Sequence, residues 1–208
     1  SGTMAAGTST TSFYWRTTRS GAVNVGADEQ NALWALQSHT VNPGPITQLQ
    51  FIDPNNTTYV TQCSYVRTVQ LKDTYGNPSP ALSTTAVALT SGSSGGITFY
   101  SDSTCTVPIT QVQIAAGANQ ASFYYKDNYA EGVYLYATVT GLPVASQYTY
   151  NYGRTWVISA AQTRDAGQCS GVTTVQTQNL SGVAYNVPTA TTVWLYGSTG
   201  MNFYSEST

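Results

Sequence analysis

Ala115-Ala116-Gly117-Ala118-Asn119-Gln120-Ala121-Ser122-Phe123-Tyr124 decides how this chain is read. The stretch opens as a turn of small residues around a glycine and closes as a strand carrying aromatic side chains. Its landmarks occur twice: Ala5-Ala6-Gly7, followed by Ser12-Phe13-Tyr14, stands 110 residues earlier. Working outward, Cys63-Ser64, Val66 and Thr68-Val69-Gln70 return as Cys169-Ser170, Val172 and Thr174-Val175-Gln176, at an offset of 106. Val87 and Leu89 return at that offset as Val193 and Leu195. Phe99-Tyr100-Ser101 and Ser103-Thr104 return as Phe203-Tyr204-Ser205 and Ser207-Thr208, at an offset of 104. Self-similarity at a nearly fixed period is the signature of a repeat array. The expected organisation is the back half of one unit at 1–45, a complete unit at 46–152 and the front half of another at 153–208. Pro43-Gly44-Pro45 and Asn151-Tyr152-Gly153 mark the boundaries.

The complete unit reads as short strands near 47–52, 66–72, 85–90, 97–101, 109–114, 121–126 and 132–140. Each is rich in Val, Ile, Thr, Tyr or Phe and is bounded by Gly, Asn, Asp or Ser. In Gln111-Val112-Gln113-Ile114 the apolar residues face one way and the glutamines the other. Seven short strands in about a hundred residues predict an all-β fold, a two-sheet sandwich repeated in tandem. The flanks carry matching pieces, at 11–16 and 31–37 before the complete unit and at 155–159, 172–178, 191–196 and 201–205 after it. Residues 30–38 also suit a short helix, but the repeat assigns them to a strand.

With 208 residues, 41% of them hydrophobic, the chain can bury a real core. Only 8% are charged, against a usual ~25%, so Ser, Thr, Gln, Asn and Tyr must cover the surface. Aromatic residues at 12% argue against disorder. A net charge of −2 offers no electrostatic footprint for nucleic acid. No apolar run approaches a membrane span, and no charged-then-apolar leader opens the chain.

Three cysteines gain meaning from the repeat. Cys63 and Cys105 fall in the complete unit, and Cys169 matches Cys63. The expectation is a Cys63–Cys105 disulfide, hence an oxidising compartment, with Cys169 unpaired or interchain. Two buried free thiols are the alternative.

Catalytic chemistry finds little purchase. The single histidine, His39, adjoins Ser38, but neighbours in sequence do not supply a triad's geometry. Asp73, Asp102, Asp127 and Asp165 sit in turns, where their own hydrogen bonding explains them. One histidine and three cysteines give no zinc spacing. Asp28-Glu29 is the only adjacent acidic pair that calcium could use, and only Lys72 and Lys126 could enter an isopeptide bond. The expectation is no catalytic residue, no metal and no cofactor.

The string Thr98-Phe99-Tyr100-Ser101-Asp102-Ser103-Thr104-Cys105, with Ile114-Ala115-Ala116-Gly117 and Ser122-Phe123-Tyr124-Tyr125-Lys126, resembles tandem bacterial immunoglobulin-like repeats. So do Val69-Gln70-Leu71-Lys72-Asp73-Thr74-Tyr75-Gly76-Asn77-Pro78 and Ala160 through Cys169. The resemblance covers essentially the whole chain, with Arg19 to Asn42 its least typical part. It implies a sandwich serving as spacer, stalk or adhesive module in long secreted or surface-exposed bacterial proteins, without catalytic residues.

Half a sandwich leaves its inner face open and its edges unpaired, so something must complete each half. One expectation is a head-to-tail homopolymer in which neighbouring chains share a sandwich, its core formed by Phe13, Trp15, Trp34, Trp156, Trp194 and Phe203. The other is a continuous array from which these residues are one segment. A second expectation concerns tyrosine. Tyr124, Tyr134, Tyr136, Tyr148, Tyr150 and Tyr152 form a candidate aromatic face, for sheet packing or for a glycan or cell-surface partner.

Overall fold

A computed structural model describes residues 3–28, 35–93 and 95–205. These residues are all-β, with no helix among them. The strands are β1 Gly21–Ala27, β2 Ala35–Val41, β3 Ile46–Phe51, β4 Thr58–Tyr59, β5 Arg67–Asp73, β6 Thr85–Ser91 and β7 Ile97–Tyr100. They continue as β8 Pro108–Ile109, β9 Gln111–Ile114, β10 Gln120–Asp127, β11 Gly132–Thr138, β12 Ala145–Tyr152, β13 Arg154–Val157 and β14 Val175–Gln178.

The alternation of apolar and polar residues along β3 to β12 builds two five-stranded sheets, in the orders β3-β5-β10-β7-β8 and β4-β12-β11-β6-β9. Without the short β4, β8 and β9, these are the A-B-E-D and G-F-C orders of an immunoglobulin-like sandwich. Their inner faces enclose Leu49, Val69, Leu71, Val87, Leu89, Ile114, Tyr125 and Leu135. Phe123 anchors the centre, with Phe51 and Phe99 edge-on at 6.2 and 5.7 Å between ring centroids.

Three departures from the expected strands stand out, the smallest being β4, which lies parallel to the end of β12. The run expected at 109–114 breaks at Thr110. β8 pairs with β7 in one sheet, and β9 pairs with β6 in the other, so the chain turns a corner between sheets. β12 was not anticipated, because its polarity is inverted. Ala145, Gln147, Thr149 and Asn151 point inward, while Ser146, Tyr148, Tyr150 and Tyr152 point outward. An apolar-in reading passes over such a strand.

The inward polar groups of β12 are satisfied by one buried network. Arg67 is fully buried and donates to the carbonyls of Asn56 at 2.8 Å and Pro54 at 3.1 Å. Its guanidinium lies 5.6 Å from the centre of the Tyr125 ring. The Tyr125 hydroxyl meets Thr149 Oγ1 at 2.7 Å and Asn151 Oδ1 at 3.2 Å. Asn151 Nδ2 donates to Asp127 Oδ2 at 2.6 Å, and Gln147 Nε2 to the Asp53 carbonyl at 2.7 Å. Such pairing offsets the cost of burial, although Arg67 Nε itself has no hydrogen-bond partner among the described residues.

The flanks are thinner. β1 pairs with β2, and β13 with β14, each as an isolated two-stranded ribbon. The strands expected at 11–16, 191–196 and 201–205 have no ladder partner among the described residues. Of the strand expected at 31–37, residues 31–34 lie outside the described residues and 35–37 open β2. By register β1 matches β11 and β2 matches β12, so the counterpart of β11 lies at 21–27.

Candidate functional site

The flanking ribbons reproduce the registers of the central sandwich. Arg154↔Gln178 and Val157↔Val175 repeat Gln48↔Lys72 and Phe51↔Val69 at an offset of 106 in every residue. The pairing Ala22↔Thr40 through Ala27↔Ala35 repeats that of β11 with β12 at an offset of 110, as in Val23↔His39 for Val133↔Thr149. The turn after β5 is also copied. Asp73 Oδ1 accepts the N–H groups of Tyr75 and Asn77 at 2.9 Å, and Asn179 Oδ1 accepts those of Ser181 and Val183 at 3.0 Å. Gly76 and Gly182 hold matching φ values of 85° and 83°, a conformation natural to glycine.

What differs is closure. Phe123 is 0% exposed, whereas Phe13, which matches it, is 55% exposed. Leu89 is 5% exposed and its counterpart Leu195 is 53%. Val87, Phe99 and Tyr125 are likewise buried, while Val193, Phe203 and Trp15 are exposed. The flanks therefore present core-type residues to solvent along strand-like segments that lack partners. Large exposed apolar patches of this kind mark interaction surfaces.

The expected shared-core residues divide under these registers. Phe13, Trp15 and Phe203 match the inward Phe123, Tyr125 and Phe99. Trp156 matches Gln50 and Trp194 matches Ala88, both exposed in the central sandwich, and both tryptophans are themselves exposed. Arg154 caps the Trp156 ring from 4.8 Å. Trp34 lies outside the described residues. Sequence periodicity alone could have separated these sets, because a strand's faces alternate residue by residue.

The tyrosine set divides too. Tyr134, Tyr136, Tyr148, Tyr150 and Tyr152 share the outer face of β11 and β12. Tyr134 and Tyr148 are direct cross-strand partners, with centroids 5.2 Å apart. Tyr150 and Tyr152 are 4.4 Å apart, and Tyr59, missed by the sequence reading, extends the row at 6.4 Å from Tyr152. A Cβ on Gly132 would lie 1.9 Å from the Tyr148 hydroxyl, so glycine makes room for the rings. Tyr124 belongs elsewhere, on β10 of the other sheet, opposite Tyr100.

Cys63 and Cys105 form a disulfide with Cα atoms 5.6 Å apart, and Cys169 is an exposed free thiol. His39 stacks obliquely on Trp15 at 5.1 Å. Among the described residues no three His, Cys, Asp or Glu side chains converge as a metal site, and no helix is long and apolar enough to cross a membrane.

Three carboxyls are shifted. Burial pushes Asp127 up to about 6, and the neighbouring Glu131 charge adds to this against bonds from Tyr129 and Asn151. Burial also acts to raise Asp73, but bonds from the Asn77 side chain and the Gly44, Asn77 and Tyr75 N–H groups prevail and hold it at about 2. Bonds from Thr104, Val107 and Thr106 hold Asp102 well below the usual carboxylate range. Asp73 is thus a joint residue. It receives Gly44 N–H at 2.8 Å, and Asn77 beside it bonds Ser20 N–H at 3.0 Å and the Thr18 carbonyl at 2.8 Å. At the other joint Asn179 Nδ2 donates to Thr61 Oγ1 at 2.6 Å.

No protein-family model and no curated protein matches the chain. Among solved structures, a glycosyl hydrolase family 2 member from Bacteroides cellulosilyticus is similar at 14% identity and a TM-score of 0.42, over 64% of this chain and 18% of that one. A beta-glycosidase from Bacteroides vulgatus matches at 9% identity and a TM-score of 0.43, over 64% of this chain and 17% of that one. The surface layer protein SbsC, domains 1–6, matches at 16% identity and a TM-score of 0.37, over 81% of this chain and 21% of that one. The chain spans about a fifth of the length of these proteins, and the likeness is one of β architecture alone.

Proposed function

We propose that this chain is a structural module of an extracellular bacterial filament or surface array, with flanks that are half units completed by neighbouring copies. One observation carries this reading: which strands lack partners. In the central sandwich β3 pairs with β5, and β11 with β12. These partners fall within the same half of a unit, and both flanks form the matching ribbons. β6, β7 and β10 instead pair across the halves, β6 with β11 and β10 with both β5 and β7. Among the described residues the segments matching those three, at 191–196, 201–205 and 11–16, have no ladder. One flank supplies A, B, C and D, the other E, F and G, and together they make a seven-strand sandwich. The disulfide fits an oxidising compartment outside the cytosol.

Sedimentation and negative-stain microscopy test the reading. The chain is expected to form filaments that lengthen with concentration, and Leu195→Asp to leave monomers. A chain that stays monomeric at high concentration would discard it.

The tyrosine row favours a second reading, as a binding face for a glycan or cell-surface partner. In the N-terminal ribbon the positions matching Tyr134, Tyr148 and Tyr150 are Asn24, Ser38 and Thr40, so the fold does not require tyrosine there. Tyr148→Ala with Tyr150→Ala should abolish binding to immobilised polysaccharide and leave assembly unchanged.

A further inference from the structure

We infer that the open edge at 173–176, which runs into the start of β14 and stops short of the Gln178↔Ala184 bridge, accepts residues 10–13 of a second copy of this chain in one fixed register. That register sets Thr10 against Gln176, Thr11 against Val175, Ser12 against Thr174 and Phe13 against Thr173. The inference rests on the assembly reading above and specifies its geometry.

The central sandwich supplies the template. β10 meets β5 through Gln120↔Gln70, Ala121↔Val69, Ser122↔Thr68 and Phe123↔Arg67. It then meets β7 through Tyr124↔Tyr100, Tyr125↔Phe99 and Lys126↔Thr98. The offsets of 110, 106 and 104 carry the first set onto 10–13 and 173–176, and the second onto 14–16 and 202–204. The 106 offset is the one that β13 and β14 already obey in their own register.

The side chains that would meet are chemically matched. Thr68 Oγ1 and Ser122 Oγ lie 3.0 Å apart, and both residues recur unchanged as Thr174 and Ser12. The Tyr124↔Tyr100 pair recurs unchanged as Tyr14 and Tyr204. Lys126 sits 5.7 Å over the Tyr100 ring, and Arg16 keeps a cation in that place beside Tyr204. In the other sheet, Tyr136↔Thr90 becomes Gly26 against Tyr196. The bulk moves from one partner to the other and the pair still fits.

A second copy is favoured over the chain's own flank by where the flanks leave the sandwich. Ile46 pairs with Asp73 at one pole. At the other pole Asn151, at the end of β12, bonds Asp127, which ends β10. β5 and β10 run antiparallel between these poles. The flanks thus depart in opposite directions, and a head-to-tail contact between copies propagates without limit.

The test uses the 208-residue chain with Cys169→Ser, carrying either Ser12→Cys or Thr174→Cys. Each variant has one free thiol, and opposed strand residues lie within disulfide reach. Mixed under mild oxidation, the two variants should give a covalent dimer on a non-reducing gel, at least ten-fold more than either alone. Thr10→Cys mixed with Gln176→Cys should do the same. Thr11→Cys mixed with Thr174→Cys is one residue out of register and should give little dimer. Filaments by microscopy with no in-register dimer, or with more from the Thr11 mixture, would overturn the register and leave the assembly reading standing. No filaments and no dimer would overturn both. A dimer from one variant alone, equal to that from the mixture, would indicate a two-fold contact and overturn the head-to-tail geometry.

Discussion

The central sandwich and its flanks are written in nearly the same residues and differ in what surrounds them. Phe123 and Phe13 follow the same small turn and the same serine, yet one lies under two sheets and the other in solvent. The difference teaches that strand formation here is cooperative at the level of the whole unit. Pairs adjacent in sequence form alone, as β1 with β2 and β13 with β14 do. Strands that sit between distant partners do not, because their ladder bonds and their burial both come from elsewhere.

The sharpest way to break this comparison is to truncate the same residue in both places. Phe123→Ala should cost about 3–5 kcal/mol, the range for emptying an aromatic core position. Phe13→Ala should move the monomer's stability by no more than about 0.5 kcal/mol while abolishing filaments. Chemical denaturation paired with microscopy decides it. Equal destabilisation by both would mean that the N-terminal flank is already closed within the monomer.

Next in size is the disulfide, a covalent restraint across 42 residues of the central sandwich. Cys63→Ser with Cys105→Ser should lower unfolding stability by roughly 2–4 kcal/mol. Cys169→Ser, on the flank, should leave it unchanged. A native-like denaturation midpoint for the double variant would place the stability of the sandwich in its ladders and core alone.

The smallest effect is titration. Asp127 moves from 3.8 in the unfolded chain to about 6 in the fold, so folding favours its protonated form. Stability should therefore fall as pH rises from about 4 to about 6. Asp73 is depressed from 3.8 to about 2, so its contribution is present above about 4 and is lost as pH falls toward 2. Thermal melts across this range should peak near pH 4, and Asp127→Asn should flatten the neutral side. A melting temperature that climbs steadily from pH 4 to 7 would contradict the assignment.

Much of the fold was legible because the period of two is a local property. The strands of the A-B-E-D sheet follow from alternation, and repetition marks Cys169 as the match of Cys63. β12 was illegible because its inward Gln147, Thr149 and Asn151 are polar and its outward residues aromatic. Only the buried Arg67 and the Tyr125 hydroxyl explain why polar groups face inward there. The tyrosine cluster was legible as a composition, but its division between Tyr124 and the β11–β12 row needed the topology. Trp156 and Trp194 look like core by residue type, yet they match Gln50 and Ala88, which are exposed in the central sandwich.

By itself the sequence determined the repeat, the β class, the poverty of charge and the turns, since each depends on residues close along the chain. The tertiary structure decided which strands close into a sandwich, which side chains are buried and which flank strands remain without partners. Burial and ladder pairing are contacts between distant residues, and identical segments acquire them only where the complementary strands are present.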